Sequence, residues 1–255
     1  MVHINFDAME MQLPLKREGL DKELLLTKDG SHTVVIPSLD ITYRSRHGAI
    51  QESTHVFIKA GLHYEWSRMP QETTIEIFEL GFGTGLNALL TCVEALAARR
   101  KISYTTIEPD PLDPEMARLL NYPDEGHYLQ QMHEASWGNA VSIHEYFTFT
   151  KYNLTFAEFV GHQASDSDDA FKPGYDLVYF DAFGPLTQPE LWSAESFSQI
   201  VALMNEGAAL TTYCSKTVVR RTMTNAGMQV TKIPGPYGKR EMVRAIKVPQ
   251  ATIPG

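Results

Sequence analysis

The stretch FELGFGTGLNALL, Phe78–Leu90, decides how the rest of the chain is read. It overlaps the end of the apolar run TIEIFEL (Thr74–Leu80), which has the character of a buried strand. It leads into TGLNALLTCVEALAARR, whose apolar residues recur at helical spacing and which closes on two arginines suited to a helix C-terminus. Between strand and helix the glycines are spaced Gly81-x-Gly83-x-Gly85, and Glu79 stands two places before the first. A strand, a glycine turn and a helix in that order make a ligand-binding turn of an α/β sheet. The dinucleotide fingerprint is spaced differently, G-x-G-x-x-G, and it must neutralise a pyrophosphate with helix N-terminal amides. S-adenosylmethionine has no phosphate; it has an amino-acid end and a sulfonium cation. Glycines that let the backbone come close, with Glu79 adding negative charge beside cationic groups, suit this second ligand better. Phe82 and Asn87 fall in the same turn and complete its candidate cofactor contacts. The alternative is a turn that serves structure alone.

Outward from this turn, strands and helices alternate. KISYTTIE (Lys101–Glu108) reads as a second strand closed by Pro109, and Pro111 and Pro114 suit the start of the next helix. YFTFTKYN (Tyr146–Asn153) is a third strand, YDLVYFD (Tyr175–Asp181) a fourth and apolar enough to be central, and AALTTYC (Ala208–Cys214) a fifth. The helix KTVVRRTMTNAG stops at Gly227, and MQVTKI and EMVRAIKV form the arms of a closing antiparallel pair. The pattern predicts a mostly parallel sheet with helices on both faces. Residues 1–70 precede the first core strand and predict a small hairpin extension with its turn at Arg46–Gly48, leaving 71–255 as the main domain. GHQASDSDDAFKPG (Gly161–Gly174) reads as an exposed acidic loop.

The bulk numbers are those of an ordinary globular chain: 255 residues, 43% hydrophobic and 21% charged. Only two cysteines occur, Cys92 and Cys214, far apart and outside any C-x-x-C pair, which argues against a disulfide scaffold or a cysteine-rich metal site. The nine histidines show no ligand spacing, so no metal is expected, and His127 and His133 read as surface residues. No stretch has the roughly 20 apolar residues a membrane span needs, and no signal peptide is evident, so a cytoplasmic protein is expected. The net charge of -9 hides an asymmetry. Gly207–Gly255 holds eight lysines and arginines against Glu241 alone, a balance of +7, and residues 1–206 carry the remaining -16. A basic tail of this kind suits a polyanion docking on one face; a solvated basic surface is the plainer reading.

Ligands of such sheets bind beyond the carboxyl ends of the strands. Glu79, Glu108 and Asn153 close the first three strands. Glu108 follows Gly85 at close to the spacing of a ribose-binding carboxylate, roughly 20 residues. YFDAFGPLTQPELW (Tyr179–Trp192) is the second dense site. Asp181 ends the fourth strand, and Phe183, Pro185 and Trp192 can wall a pocket that excludes water. A carboxylate among aromatic residues suits an amine substrate, because it orients the nitrogen and can take its proton. A turn-capping role is the alternative for Asp181.

FELGFGTGLN, DLVYFDAFGPLTQPELW, TTYCSKTVVRRTMTNAGMQV and GPYGKREMVRAIK occur in the order seen in the methyltransferase domain of the bacterial bifunctional tRNA-modifying enzyme MnmC and its standalone counterpart MnmD. SLDITYRSRHGAIQESTHVFIKAGL is similar to that family's leading hairpin. The resemblance covers most of Pro37 to Lys247. It implies a class I S-adenosylmethionine-dependent methyltransferase fold, Rossmann-like, with a seven-stranded sheet and an antiparallel closing strand. It also implies methyl transfer to the amine of 5-aminomethyl-2-thiouridine at the tRNA wobble position. On this chain Gly81, Gly83 and Gly85 would cradle the cofactor, Glu108 would hold its ribose, Asn153 would contact the adenine, and Asp181 would be the catalytic carboxylate. Lys216, Arg220, Tyr237, Lys239, Arg240 and Glu241 would border the substrate. Two departures stand out: DAFGP replaces the family's common DGFAP, and Asn153 replaces an aspartate. No counterpart of the FAD-dependent oxidase half is found, so an upstream enzyme would supply the aminomethyl uridine. An aminopropyltransferase or a small-molecule N-methyltransferase of the same fold is the alternative enzyme, and a non-catalytic tRNA-binding protein the alternative class.

Overall fold

A computed structural model describes residues 21–165 and 174–249. The chain begins with an antiparallel meander, β1 (Glu23–Leu26), β2 (His32–Ile36) and β3 (Ile41–Thr42). Its tight turn lies at Lys28–Ser31, where Gly30 takes a positive φ of 83°. A turn does occur at Arg46–Gly48, where the Gly48 amide donates to the Ser45 carbonyl at 3.1 Å, but it leads into a helix instead of joining two strands of a hairpin. That helix runs unbroken through α1 (Ala49–Ser53), the π-helical Thr54–Leu62 and α2 (His63–Trp66). Val56, Phe57, Ile58 and Leu62 on it are buried against the central sheet.

The central sheet follows. β4 (Ile75–Leu80) leads into α3 (Leu86–Ala98), and β5 (Ile102–Ile107) into α4 (Pro114–Arg118) and α5 (Tyr128–Glu134). β6 (Val141–His144) and β7 (Phe147–Tyr152) form a hairpin before α6 (Phe156–Ser165). β8 (Tyr175–Phe180), α7 (Ala194–Leu203), β9 (Met204–Thr212), α8 (Thr217–Asn225), β10 (Met228–Pro234) and β11 (Glu241–Lys247) complete it. The strand order is β10-β11-β9-β8-β4-β5-β7-β6, with β9, β8, β4, β5 and β7 parallel and both flanks antiparallel. The mostly parallel sheet and its closing antiparallel pair match the expectation. One strand is added: β6 pairs with the outer edge of β7, giving eight strands.

Local chemistry explains the element boundaries. β4 and β8 are buried along nearly their whole length, as parallel strands covered on both faces must be. Asp113 caps α4 by accepting from the Glu115 amide, with Pro114 in the first turn, and Ser193 caps α7 by accepting from the Ser196 amide. One core layer packs Phe78, Phe156, Phe159, Phe180 and Phe197 under α6, α7 and α8. The other packs Phe57, Cys92, Tyr104, Phe149 and Tyr179 under α3 and the helix from Ala49 to Trp66. Cys92 and Cys214 are buried and free. Of the expected acidic loop, residues 161–165 belong to α6, and 166–173 lie outside the described residues. Among the described residues no helix is long and apolar enough to cross a membrane, and no group of three His, Cys, Asp or Glu could hold a metal ion.

Candidate active site

From β4 the chain crosses outward to β5 and β7, then returns to add β8 on the other side of β4. Adjacent strands whose connections leave in opposite directions open a crevice at their carboxyl ends. At that point the Asp181 amide donates to the Leu80 carbonyl at 3.2 Å, so the glycine turn after β4 and the loop after β8 lie side by side. A cavity of about 640 Å³ opens there. Gly81, Gly83, Glu108, Asp181 and Phe183 line it, as do Tyr43, Arg44, Phe156 and Gln188. Its size is that of a pocket for a small ligand.

The glycines are required by geometry. All three have positive φ, and a Cβ at Gly85 would stand 2.8 Å from both Leu129 and Phe82. A Cβ at Gly83 would stand 3.1 Å from the Tyr43 ring, in the space between turn and cavity. Phe82 itself points inward, buried against Phe149 and His133. His133 is correspondingly not a surface residue: it shares a hydrogen bond with the Thr84 carbonyl at 3.2 Å, and burial lowers its pKa to about 4.

Glu108 accepts from the Gly83 amide at 2.8 Å and from the Asp110 amide at 2.9 Å. Burial raises its pKa to about 7, against the pull of these two amides. A carboxylate holding one amide on each oxygen keeps lone pairs for further donors, so the ribose hydroxyls of S-adenosylmethionine can be accommodated. Asn153 does not line the cavity. Its amide donates to the Glu108 carbonyl at 2.8 Å, so it braces the carboxylate's backbone, while Thr155, Phe156 and Ala157 form the wall expected of it.

Glu79 and Asn87 lie beneath the cavity rather than in it. The Asn87 amide donates to Glu79 at 2.9 Å and to Asp181 at 3.0 Å, joining the two carboxyl groups. Thr106 donates to Glu79 from the neighbouring strand at 3.1 Å. Burial, then the nearness of Asp181, pushes the Glu79 pKa up to about 8. Glu79 is thus held from behind the cavity by Asn87 and Thr106, in surroundings that disfavour its charge. Among the described residues the carbonyl oxygen of the buried Asn87 side chain has no hydrogen-bond partner, an orphan acceptor beneath the turn. The glycine turn and Glu108, both on the cavity wall, fit the chemistry of S-adenosylmethionine.

Asp181 has a partner that the sequence did not disclose. The Arg44 guanidinium, from the segment after β3, forms an ion pair with its Oδ2, and the two side chains are only 4% and 6% exposed. Burial raises the Asp181 pKa to about 7, while Arg44 draws it back down. Burial works against the Arg44 charge too, but Asp181, Glu79 and Glu52 outweigh it and hold its pKa above the ordinary value. Phe183 meets the Tyr43 ring edge-on at 5.2 Å, so one wall of the cavity comes from each end of the chain's course around it. Pro185 and Trp192 are not in the lining. Trp192 packs in the core against Phe180 and donates from its indole to the Phe183 carbonyl at 2.8 Å, supporting the loop from behind. The glycine of DAFGP, Gly184, needs no positive φ, and the Tyr213 hydroxyl pins the loop by donating to the Ala182 carbonyl at 2.9 Å.

The remaining expected residues gather at the β10–β11 turn and the start of α8, outside the cavity lining. Lys239 pairs with Glu52 of α1 at 2.6 Å and lies over the Tyr213 ring at 4.3 Å. Tyr237 is 67% exposed and meets His47 edge-on. Lys216, Arg221 and Arg240 are exposed, and Arg220 is half-buried, held by the Ser215 carbonyl. Glu241 pairs with Lys232 and Lys247 with Glu206, while Arg244 donates to the Ala60 carbonyl, so with Lys239 and Arg220 five of the eight basic residues are engaged within the fold. Tyr43, Arg44 and Glu52 flank a turn that the sequence reads only as part of a hairpin; the packing of that segment against Asp181 and Lys239 reveals them.

The comparisons agree with this geometry. The model of a family described as S-adenosyl-L-methionine-dependent methyltransferase matches residues 124–248. The tRNA 5-methylaminomethyl-2-thiouridine biosynthesis bifunctional protein MnmC of Leptospira interrogans is 29% identical over 223 residues, covering 86% of this chain and 34% of that protein. The protein of the same name from Cupriavidus metallidurans is 31% identical over 230 residues, covering 88% of this chain and 33% of its own length. The chain thus spans about a third of the length of the curated relatives it matches. The crystal structure of MNMC2 from Aquifex aeolicus superimposes with a TM-score of 0.73 at 20% identity, covering 94% of this chain and 74% of that one. The chain has a methyltransferase fold, matches a family of S-adenosylmethionine-dependent methyltransferases over residues 124–248, and is similar along most of its length to about a third of the MnmC proteins.

Proposed function

We propose that the chain transfers a methyl group from S-adenosylmethionine to the amine of 5-aminomethyl-2-thiouridine at the tRNA wobble position, giving 5-methylaminomethyl-2-thiouridine. The observation that carries this reading is the Asp181 carboxylate on the cavity wall beside the glycine turn. S-adenosylmethionine, when bound, supplies the electrophilic methyl group. Gly81 and Gly83 leave its path clear, Gly85 shapes the turn behind them, and Glu108 takes its ribose, while Asn87 and Glu79 brace the turn and Asp181 from beneath. Asp181 receives the substrate amine, orients its lone pair and takes up the proton it releases. Tyr43 and Phe183 close the wall around the reacting atoms and keep water out.

The tRNA half of the reading draws on what the MnmC relatives are named for and on the rim. Lys216, Arg220, Arg240 and the exposed Tyr237 present positive charge and an aromatic face outside the cavity, and phosphate contacts of this kind position a nucleic acid while a pocket specifies the base. Lys239 and Glu241, both paired internally, shape that rim more than they reach from it. An upstream enzyme must supply the aminomethyl group. The division near residue 70, with the extension bringing Tyr43 and Arg44 to the methyltransferase unit, belongs to the same proposal. The internal engagement of five of the eight basic residues favours a second reading, a small-amine N-methyltransferase, and the test includes it.

Labelled S-adenosylmethionine is to be incubated with tRNA from cells lacking this activity, with fully modified tRNA, and with a polyamine. Nucleosides are then separated by mass spectrometry. A 5-methylaminomethyl nucleoside formed only with the hypomodified tRNA is the expected result. Label in the polyamine alone would replace the tRNA reading by the small-amine one.

A further inference from the structure

Asp181 is reached from several elements at once. Arg44 and Glu52 face it from the N-terminal segment and α1, Glu79 from β4, Tyr213 from the end of β9, and Lys239 from the β10–β11 turn. Arg44 alone among them forms an ion pair with it, and that arginine is held at its backbone and at its guanidinium. Its amide donates to Thr33 Oγ1 at 2.9 Å, its guanidinium lies over the Phe57 ring at 5.4 Å, and its far end meets Asp181. A side chain fixed in this way is preorganised, so little entropy is lost in keeping the carboxylate in one orientation.

We propose that Arg44 is the positioning residue of the methyl-transfer site: it fixes Asp181 on the cavity wall, favours its anionic form against burial, and biases the pocket toward the neutral amine. The inference rests on Asp181 being the group that meets the amine. Two opposing effects meet at this carboxylate. Burial favours its protonated, neutral form, and an adjacent guanidinium favours the anion. An anion already matched by a guanidinium attracts an alkylammonium less than a bare carboxylate does. The neutral amine, which is the nucleophile, loses nothing by that neutralisation and still finds an acceptor for its N–H.

The test compares wild type with Arg44→Lys, which keeps the charge, and Arg44→Gln, which keeps a donor without charge. Two readouts are needed: the pH profile of methyl transfer, and the titration of the Asp181 carboxyl carbon by NMR in the free protein. With the cation removed, Arg44→Gln should move the Asp181 midpoint and the acidic limb of the rate upward by about one pH unit or more. The rate at pH 7 should fall by about tenfold or more, with S-adenosylmethionine affinity changed less than about threefold. Arg44→Lys should recover most of the shift. An equal loss of rate at every pH with an unmoved Asp181 midpoint would overturn the proposal and leave Arg44 a packing role. If Arg44→Gln fails to fold, an Asp181 midpoint in Arg44→Lys that differs from wild type by more than a unit would overturn it as well. Should the wild type methylate no tRNA, the reading of the substrate fails, but the NMR titration of the free protein still decides whether Arg44 sets the state of Asp181.

Discussion

Two regions build the cavity, and they are built on different principles. The glycine turn after β4 is local: Glu79 to Asn87 come from one strand, one turn and one helix, and neighbouring residues set each other's geometry. The N-terminal wall of Tyr43, Arg44 and Glu52 is long-range, since Arg44 meets Asp181 and Glu52 meets Lys239 across most of the chain. The turn holds its shape through backbone conformation, with positive φ at Gly81, Gly83 and Gly85. The N-terminal wall holds its place through side chains, as two ion pairs and the Tyr43–Phe183 contact. A local device tolerates almost no added atom, whereas a long-range one fails when a charge is left without its partner.

That contrast can be broken by substitution. Gly85→Val is the most severe change, because it adds a branched side chain at a φ of 75° where even a Cβ stands 2.8 Å from Leu129 and Phe82. Overpacking and backbone strain each cost about 1–3 kcal/mol, so a loss of roughly 3 kcal/mol or more in chemical denaturation is expected, together with lost cofactor affinity. Lys239→Met comes next, leaving the Glu52 carboxylate without its ammonium partner. Lys239 is partly exposed and Glu52 also accepts from the Ser45 amide, so the cost is about 1–2 kcal/mol, well below that of a fully buried pair. For a chain of this length the melting midpoint should fall by about 2–8 °C, with cofactor affinity kept. Gly30→Ala is the mildest: φ is 83° but nothing lies within 4 Å of the new Cβ, so only the left-handed strain of about 1 kcal/mol is expected. A larger effect from Gly30→Ala than from Gly85→Val would show that the meander, not the turn, sets the stability of the site.

The same contrast explains what the sequence discloses. β4, the glycine turn, α3, β5, β8 and the closing pair are legible because apolar runs, glycine spacing and chain order are local signals. Glu108, Asp181 and Phe183 are found in the cavity because strand ends of a parallel sheet point to one place. Arg44 is not legible: nothing in SLDITYRSRHG distinguishes an arginine that enters a buried ion pair from one on the surface, and Arg46 two residues later is exposed. Glu79 is legible as a position but not as a charge, since its protonation depends on burial and on Asp181. Trp192 and Asn153 lie next to the right residues yet act one layer back, through the Phe183 and Glu108 carbonyls. His133 escapes for the same reason, because a polar stretch of sequence gives no sign that one member packs on Phe82.

The measurement that tests the account most directly is a crossed one: S-adenosylmethionine affinity by calorimetry and methyl-transfer rate on the same preparations of Glu108→Gln and Asp181→Asn. Glu108→Gln should lose affinity by about 10- to 100-fold, as hydrogen bonds to a charged acceptor contribute about 1.5–3 kcal/mol. Asp181→Asn should keep its affinity within about threefold and lose turnover by about 10²–10⁴-fold, the range for a general base. If Asp181→Asn instead loses affinity as much as turnover, Asp181 is a cofactor ligand, and the amine must be received elsewhere on the cavity wall.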